Sequence, residues 1–524
     1  MAEGPYVVGI DFGTGGARVG IFDPEGTPIA QANREFGLTH PRPGWAEQDP
    51  HEWWSALVEA SQEAIRKSGV SPDAIAGLSV DATSSTVLAV DSQGRQLRPA
   101  IMWMDVRASD QAKRIEQTGD PALKYNGYGP VSAEWGLPKA LWLKDREPDT
   151  FADAEHICDC GDWAVYRLTG EWAGSVNIAA AKYYHDRDQG GYPRSLYQAL
   201  DAEDIEAKFP QNVVDPGTLV GELTQQAAEE LGLKAGTPVA QGCIDAYAGA
   251  LGLGVVHPGE MALITGSSHV MIGQSAKPVY GRGFWGSYTD AMIPGQYTVE
   301  AGQVSTGSIV AWFKNHFAGN AVAEAQRRGV DPYQILNELA EDVPIGSDGL
   351  IVVDYFQGNR TPHTDPFARG MMWGLTLSHG PGHLFRAILE GICYGTEDIF
   401  RAMADHGFRP TETVVAGGPT NSALWMQMHA DVCNLPMRIT RMGDVGPVLG
   451  SAILASVGAD MYPDLQTAAE NMVHTERTIE PSQDAHEQYQ FYLDRYIETY
   501  DRMKDLMHQT VKHVAEGGEA SAAG

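Results

Sequence analysis

The sequence predicts an α/β protein made of two similar lobes that face a common cleft, on three observations. A strand, a glycine-rich turn and a second strand open the chain as YVVGID, FGTGG and ARVGIF, residues 6–22. A weaker copy of the same unit, EMALITGSSHVMI, stands at residues 260–272. Between and beyond the copies, short buried-strand patterns alternate with amphipathic helical ones, the order that builds helix-covered mixed sheets. The length of 524 residues has room for several domains of ~150 residues, and the repeated hairpin argues for two large lobes. Ligands favour such interfaces between lobes.

Composition narrows the class. Asp plus Glu number 68 against 37 Lys plus Arg, a formal charge of −31, which argues against nucleic acid and anionic membranes as partners. Lysine is scarce even beside arginine, the pattern expected of a protein working in high salt, where self-repulsion is screened. No apolar run approaches the ~20 residues of a membrane helix, and MAEGP passes directly into a strand without a secretory pattern. A cytoplasmic protein is expected. The five cysteines are odd in number and scattered, so they build neither a disulfide framework nor paired metal motifs, and Cys158 and Cys160 read as buried filler at a strand end.

In chain order, residues 6–11 and 17–22 are the strands of the first hairpin. Its turn holds more glycine than reversal requires, which lets backbone N–H groups approach an anion. Asp11 ends the first strand beside it, where a carboxylate repels a phosphate unless a divalent cation bridges them, so the window suggests a Mg²⁺–nucleotide site. A plain glycine-rich hairpin explains the same window equally well. GxxxxGK[ST] is absent, so the cradle is not a P-loop, and the HRD and DFG elements of protein kinases are missing.

Residues 50–68 form an amphipathic helix. Buried strands at 75–80 and 87–91 flank a polar turn, Asp81-Ala82-Thr83-Ser84-Ser85-Thr86. The strand AIMWMD leads to Asp105 and Arg107, a pair suited to polyol hydroxyls, although a structural ion pair is the commoner fate. Helical stretches follow at 134–144 and 162–170, and Lys182 lies in AAAKYY, far in sequence from carboxylates. After the second hairpin, Glu300 stands at a strand end and Ser305-Thr306-Gly307 opens a helix. Residues 350–354 form another buried strand. Residues 413–416 run into Gly417-Gly418-Pro419-Thr420-Asn421, suited to the approach of a base and ribose to the backbone. Residues 483–513 are a long helix with Tyr489, Tyr492, Tyr496, Tyr500, Met503 and Met507 as a core stripe, and 514–524 is expected to be a disordered tail.

One stretch, QGCIDAYAGALGLG at 241–254, isolates Asp245 among small and apolar residues. An ionised carboxylate in such surroundings needs a partner. The window alone favours an N-cap for the helix that follows, with cation binding or proton chemistry as the alternatives.

Together these segments resemble the FGGY family of carbohydrate kinases over nearly the whole chain. GMMWGLTLSHGPGHLFRAILE, residues 370–390, fits the family's C-terminal signature at every constrained position. DFGTGGAR, GWAEQDPHEWW, QGCIDA, TGSS and VVAGGPTNSALWMQMHAD stand in family order around it. The N-terminal signature near Lys139 and Trp142 departs from the pattern at Gly136 and Ala140. The resemblance implies a duplicated ribonuclease-H-like, actin-like ATPase fold, with an N-terminal lobe over residues 1–247 and a C-terminal lobe over 248–513. It also implies ATP, Mg²⁺ and a small sugar in the interlobe cleft, and in-line transfer of the γ-phosphoryl to a terminal hydroxyl. Position by position, Asp245 matches the family's catalytic base, Asp11 its Mg²⁺ and phosphate partner, and Gly13, Thr14 and Arg18 its first phosphate turn. Gly266 and Ser267 match the second turn, and Gly307, Gly417, Gly418 and Asn421 lie toward the nucleoside. Phosphoryl transfer is largely dissociative, so the base takes its proton late and an Asp with an ordinary pKa near ~4 suffices. Capping and catalysis are therefore compatible roles for Asp245.

For the substrate, DATSSTVLAV, WMD, DW at 162–163, the Lys182 segment and VEAGQ around Glu300 resemble ribulokinases, in which the matching positions touch the ketopentose. That places Ala82, Lys182, Asp245 and Glu300 on the sugar. GWAEQDPHEWW and RTPHTDPFARG resemble xylulokinases instead. An ATP-dependent ketopentose kinase is expected, ribulose before xylulose, with a pentitol or tetritol kinase as the alternative in the family. The Arg–Glu pair that grips glycerol in the glycerol kinase branch has no match beside Asp81. From other classes, an actin-like ATPase chaperone would share the hairpins but has no use for the 81–86 turn, Lys182 or Glu300, and a silent sugar sensor has no need of both Asp11 and Asp245. A homodimer is left open.

Overall fold

The computed structural model describes residues 4–522. Its N-terminal lobe is built on β1 (Tyr6–Gly13), β2 (Gly16–Phe22), β3 (Pro28–Glu35), β4 (Ile75–Ala82), β5 (Leu219–Glu222) and β6 (Pro238–Ala240). Their order in the sheet is β5–β6–β4–β1–β2–β3. The first three strands are an antiparallel meander, β4 and β6 extend it in parallel, and β5 closes the edge antiparallel. The C-terminal lobe uses β7 (Glu260–Thr265), β8 (His269–Ser275), β9 (Trp285–Thr289), β10 (Tyr297–Gln303), β11 (Glu412–Ala416), β12 (Met437–Thr440) and β13 (Thr475–Ile479). They run β9–β10–β8–β7–β11–β12–β13. With β9 set aside, the two sheets share one plan: three antiparallel strands, two parallel ones, and an antiparallel edge. The duplication expected from the two hairpins is therefore a duplication of the whole sheet. Its central strands read as near-continuous apolar runs because both of their faces are buried.

Six helices position the site: α1 (Val176–Tyr183), α2 (Asp245–Gly252), α3 (Gly307–Phe317), α4 (Pro381–Ala404), α5 (Ala423–Cys433) and α6 (Gly446–Gly458). The joint between the lobes is the crossing of α2 and α6, and glycine makes that crossing close. A Cβ on Gly252 would lie 2.0 Å from the Gly446 carbonyl oxygen, and one on Gly450 would lie 1.9 Å from that of Ala248. Helix α6 also lies against the N-terminal sheet, where a Cβ on Gly9 of β1 would meet the Val448 carbonyl at 1.9 Å. A helix from the C-terminal part of the chain thus forms the floor under the first phosphate hairpin. Tyr247, Ala248, Leu449 and Ile453 share one core cluster across this joint, while Leu57 and Trp163 anchor a core of the first lobe and Met271 and Leu389 one of the second.

Helix Pro50–Ser68 forms as expected, capped by the Asp49 carboxylate and closed by Gly69 in the left-handed region at φ 65°. The five cysteines are free and buried. Asp105 and Arg107 are a wholly buried ion pair, Nη2 to Oδ2 2.7 Å, with the guanidinium 3.7 Å from the Trp45 ring centre. They are structural and do not serve a sugar. The last helix runs Gln483–Ala522, so residues 514–522 continue it where a disordered tail was expected. Despite Gly517 and Gly518, these residues extend a helix already nucleated and docked through Tyr489, Tyr496, Tyr500 and Met507. Residues 523–524 lie outside the described residues. Among the described residues no helix is long and apolar enough to cross a membrane.

Candidate active site

Three carboxylates converge where the lobes meet. Asp11 on β1 stands opposite Arg18 on β2, whose Nη2 lies 2.7 Å from Asp11 Oδ2. On its other side, β4 places Asp81 in register with Asp11, and both carboxylates are fully buried. Ser451 of α6 donates to Asp81 Oδ2 at 2.6 Å, so the second lobe holds a residue of the first. Asp81, expected only as the start of a sugar-facing turn, thus stands beside Asp11 and the first glycine turn. Asp245 opens α2, but the N-cap position belongs to Ile244. Asp245 is the first helical residue and its Oδ1 accepts the Ala246 N–H at 2.7 Å. The expected cap is corrected by one position: the carboxylate still takes up a free N–H of the helix end. Asp11, Arg18 and Asp245 line a 220 Å³ cavity whose opposite wall includes Ala416, Gly443, Gly446 and Pro447.

The cluster shifts its own titration. Burial, then the Asp11 charge, push Asp245 up to about 7, while the Ala246 N–H, Arg18 and Lys182 draw it down. The ordinary value expected from the sequence is corrected, because burial, and after it the neighbouring Asp11 charge, disfavour ionisation. Burial raises Asp11 against the pull of Arg18, and burial followed by the Asp11 charge carries Asp81 well above the carboxylate range. No N–H or O–H among the described residues donates to Oδ1 of either Asp11 or Asp81. Two buried oxygens without donors, beside a glycine turn, suit a hard divalent cation that also binds phosphate oxygens. Gly13 and Thr14 form that turn with Gly15. A Cβ on Gly15 would meet nothing, leaving the turn open outward, while Thr14 is tied back by Gln48 and by the Trp103 Nε1–H, which donates to its hydroxyl at 2.9 Å.

The expected sugar contacts form a second group. Lys182 on α1 is distant from carboxylates in sequence, yet its Nζ lies 3.2 Å from Glu300 Oε2. Glu300 sits in the middle of β10, not at a strand end, and also accepts from the Tyr247 hydroxyl at 3.2 Å. The rings of Trp135 and Trp285 stand 5.4 and 5.1 Å from the Lys182 ammonium. These flanking aromatics were missed, because in the sequence Trp135 belongs to an apolar helical run. Ala82 is the exception among the four. It is 2% exposed, its methyl packs in the first-lobe core, and its N–H is given to the Cys243 carbonyl. It shapes the wall and offers no side-chain contact.

Toward the nucleoside, Gly266, Ser267, Gly307, Gly418 and Asn421 line one 990 Å³ cleft. The N–H groups of Thr306, Gly307 and Ser308 donate to the carbonyls of Gly266 and Ser267 at 3.0 to 3.2 Å, so the second hairpin turn is seated on the start of α3. A Cβ on Gly307 would meet the Gly266 carbonyl at 2.2 Å. Gly417 has φ 104° and its Cβ would lie 1.9 Å from the Thr265 carbonyl, whereas Gly418 faces open space. Tyr333, Asn337, Phe385 and Leu389 also line the cleft and were not foreseen. The i, i+4 spacing of Phe385 and Leu389 on α4 is the signal that marks their common face. On the other face of that helix Glu390 accepts from Arg386, Ser347 and the Gly346 N–H, so the signature segment serves both the pocket and the core.

Duplicated lobes of this topology, a glycine-turn hairpin in each and a buried carboxylate cluster at the joint define the actin-like architecture, and the activity is set by the family the chain belongs to. The chain belongs to the FGGY family of carbohydrate kinases: the family's N-terminal domain matches residues 6–252 and its C-terminal domain residues 261–459. It is an ATP-dependent sugar kinase. It is 34% identical to an FGGY carbohydrate kinase domain-containing protein of Xenopus laevis, over 94% of this chain and 95% of the relative. It is 31% identical to a ribulokinase of Geobacillus thermodenitrificans over 98% of each. The crystal structure of xylulose kinase from Rhodospirillum rubrum superposes with a TM-score of 0.83 at 28% identity, over 96% of this chain and all of that one.

Proposed function

We propose that the protein transfers the γ-phosphoryl group of ATP to the terminal hydroxyl of a ketopentose, with ribulose the foremost candidate. The observation that supports this reading is the Lys182–Glu300–Tyr247 cluster, close enough that the Lys182 charge acts on Asp245. A pre-formed ammonium–carboxylate pair offers both donors and an acceptor to sugar oxygens, while the faces of Trp135 and Trp285 suit sugar C–H surfaces. Asp245, half-buried and already holding one N–H, removes the proton of the attacking hydroxyl late in the transfer. Arg18 and the first glycine turn face the phosphates, and the second turn with Gly417, Gly418 and Asn421 takes the nucleotide. Asp11, with Asp81 beside it, is the place for Mg²⁺, which when bound neutralises phosphate charge.

A coupled ADP-release screen over pentuloses, pentitols and tetritols, run with Mg²⁺ in high salt, tests the reading. The expected result is the highest kcat/KM on ribulose. A preference for xylulose moves the substrate within the family, and turnover of polyols alone overturns the ketopentose assignment. The net charge of −31 and the free buried cysteines support a cytoplasmic protein adapted to high salt. Its Tm is then expected to climb steeply from millimolar to molar KCl, and a flat response removes the halophilic part.

A further inference from the structure

We infer that Lys139 is a positioning residue that sets the sugar side of the cleft without touching the substrate. It is fully buried, and four backbone carbonyls lie within hydrogen-bond reach of its Nζ, one of its three N–H groups being shared: Ser85 at 2.8 Å, Met102 at 2.8 Å, Trp103 at 3.0 Å and Glu134 at 2.9 Å. Among the described residues no carboxylate stands within ion-pair distance of it. Burial lowers its pKa to about 7, against the pull of Asp105, Asp159 and Glu134 from further away. An ammonium is a compact donor able to gather acceptors from several directions, which a planar guanidinium is not. Burying one costs free energy that four well-placed carbonyls offset.

The carbonyls come from three separate segments, and each carries something the cleft uses. Ser85 belongs to the turn after β4 and is held at φ 57°, a conformation that a non-glycine residue keeps only under outside constraint. The same turn is fastened to β1 by the Thr83 N–H, which donates to Phe12 at 3.0 Å. Trp103 reaches the first phosphate turn through Thr14. Glu134 precedes Trp135, one of the two rings beside Lys182. A single buried amino group therefore joins the 81–86 turn, the Trp103 loop and the Trp135 turn. The nucleotide cleft in the second lobe has no link to it. The inference rests on the sugar side being the one assigned above.

Lys139→Met keeps an unbranched chain one atom shorter and removes all three N–H donors, and Lys139→Gln keeps an amide donor at that same shorter reach. In full-length protein, Lys139→Met is expected to raise the KM of the best sugar in the screen about tenfold or more, with a smaller rise in the KM for ATP transmitted through Trp103 and Thr14. Lys139→Gln should fall between the two. Hydrogen exchange adds a readout that needs no substrate. Amides of residues 81–86 and 102–106 should exchange faster in the variants, while those of the second hairpin turn, residues 265–269, stay as protected as in wild type. Parallel rises in both KM values, or equal loss of protection in residues 81–86, 102–106 and 265–269, would overturn the inference and leave Lys139 as a general stability residue. If wild type phosphorylates no sugar, the substrate reading fails and the exchange pattern alone decides Lys139. If Lys139→Met does not fold, Lys139→Gln carries both measurements.

Discussion

The two phosphate hairpins have the same topology and opposite chemistry. In the first, β1 and β2 bring Asp11 and Arg18 face to face and set Asp81 alongside, so charge is concentrated at the turn. In the second, Thr265 pairs with His269 across the Gly266–Ser267–Ser268 turn. His269 is buried and burial pushes it down to about 3, so it is neutral and the turn offers only backbone and hydroxyl groups. One copy therefore concentrates charged groups at its turn, while the other presents backbone and hydroxyl groups. The joint helices α2 and α6 bring the two halves together.

Breaking the charged side should have the largest effect. Asp245→Asn is expected to lower kcat by about 10²–10⁴, the range for loss of a general base, while sugar Kd measured by calorimetry changes little. Turnover within about tenfold of wild type would rule Asp245 out as the base. On the neutral side, Gly417→Ala forces a side chain into the left-handed region and against the Thr265 carbonyl, a cost of about 1–3 kcal/mol. It should raise the KM for ATP by about tenfold and leave the KM for sugar unchanged, so steady-state kinetics in both substrates would separate the two hairpins. Equal changes in both would mean the turns are coupled more tightly than their chemistry implies.

The pH profile is the smallest and most discriminating effect. With Asp245 raised to about 7, kcat/KM should climb as pH rises through that value, because the base must be ionised. Stability moves the other way. The native carboxyl keeps a proton that the unfolded chain releases near its ordinary value of 3.8. The contribution of this group is therefore complete below that value and is lost as pH rises through about 7. Asp245→Asn removes the loss, so its Tm relative to wild type should improve from about pH 5 to about pH 8. A constant difference would show that Asp245 titrates near its ordinary value.

Much of the fold was legible because it is written in local patterns. Apolar strand runs, two glycine turns, the Asp49 cap and the closing Gly69 of the first long helix are all set by neighbours within a few positions. The candidate site was legible where a residue sits on a turn of its own hairpin, as Asp11, Gly266 and Ser267 do. It was opaque where the partner lies in a distant segment. Nothing near Asp81 announces Ser451, nothing near Lys182 announces Glu300, and the carbonyls around Lys139 have no side-chain signature at all. Ala82 shows the converse, since its place in an informative motif hid the fact that its methyl points into the core.

By itself, then, the sequence determined the class of each element, the duplication, and which residue types could meet phosphate, because periodicity and turn chemistry are local properties of the chain. Only the tertiary structure decided that Asp245 stands one position inside its helix where burial pushes its pKa up, that α6 crosses under the first lobe to hold Asp81, and that one buried lysine joins three separate backbone segments. Those features come from long-range packing and from charges placed within a few ångströms of one another in a buried joint, where the dielectric is low and separation in space, unrelated to separation in sequence, sets the energy.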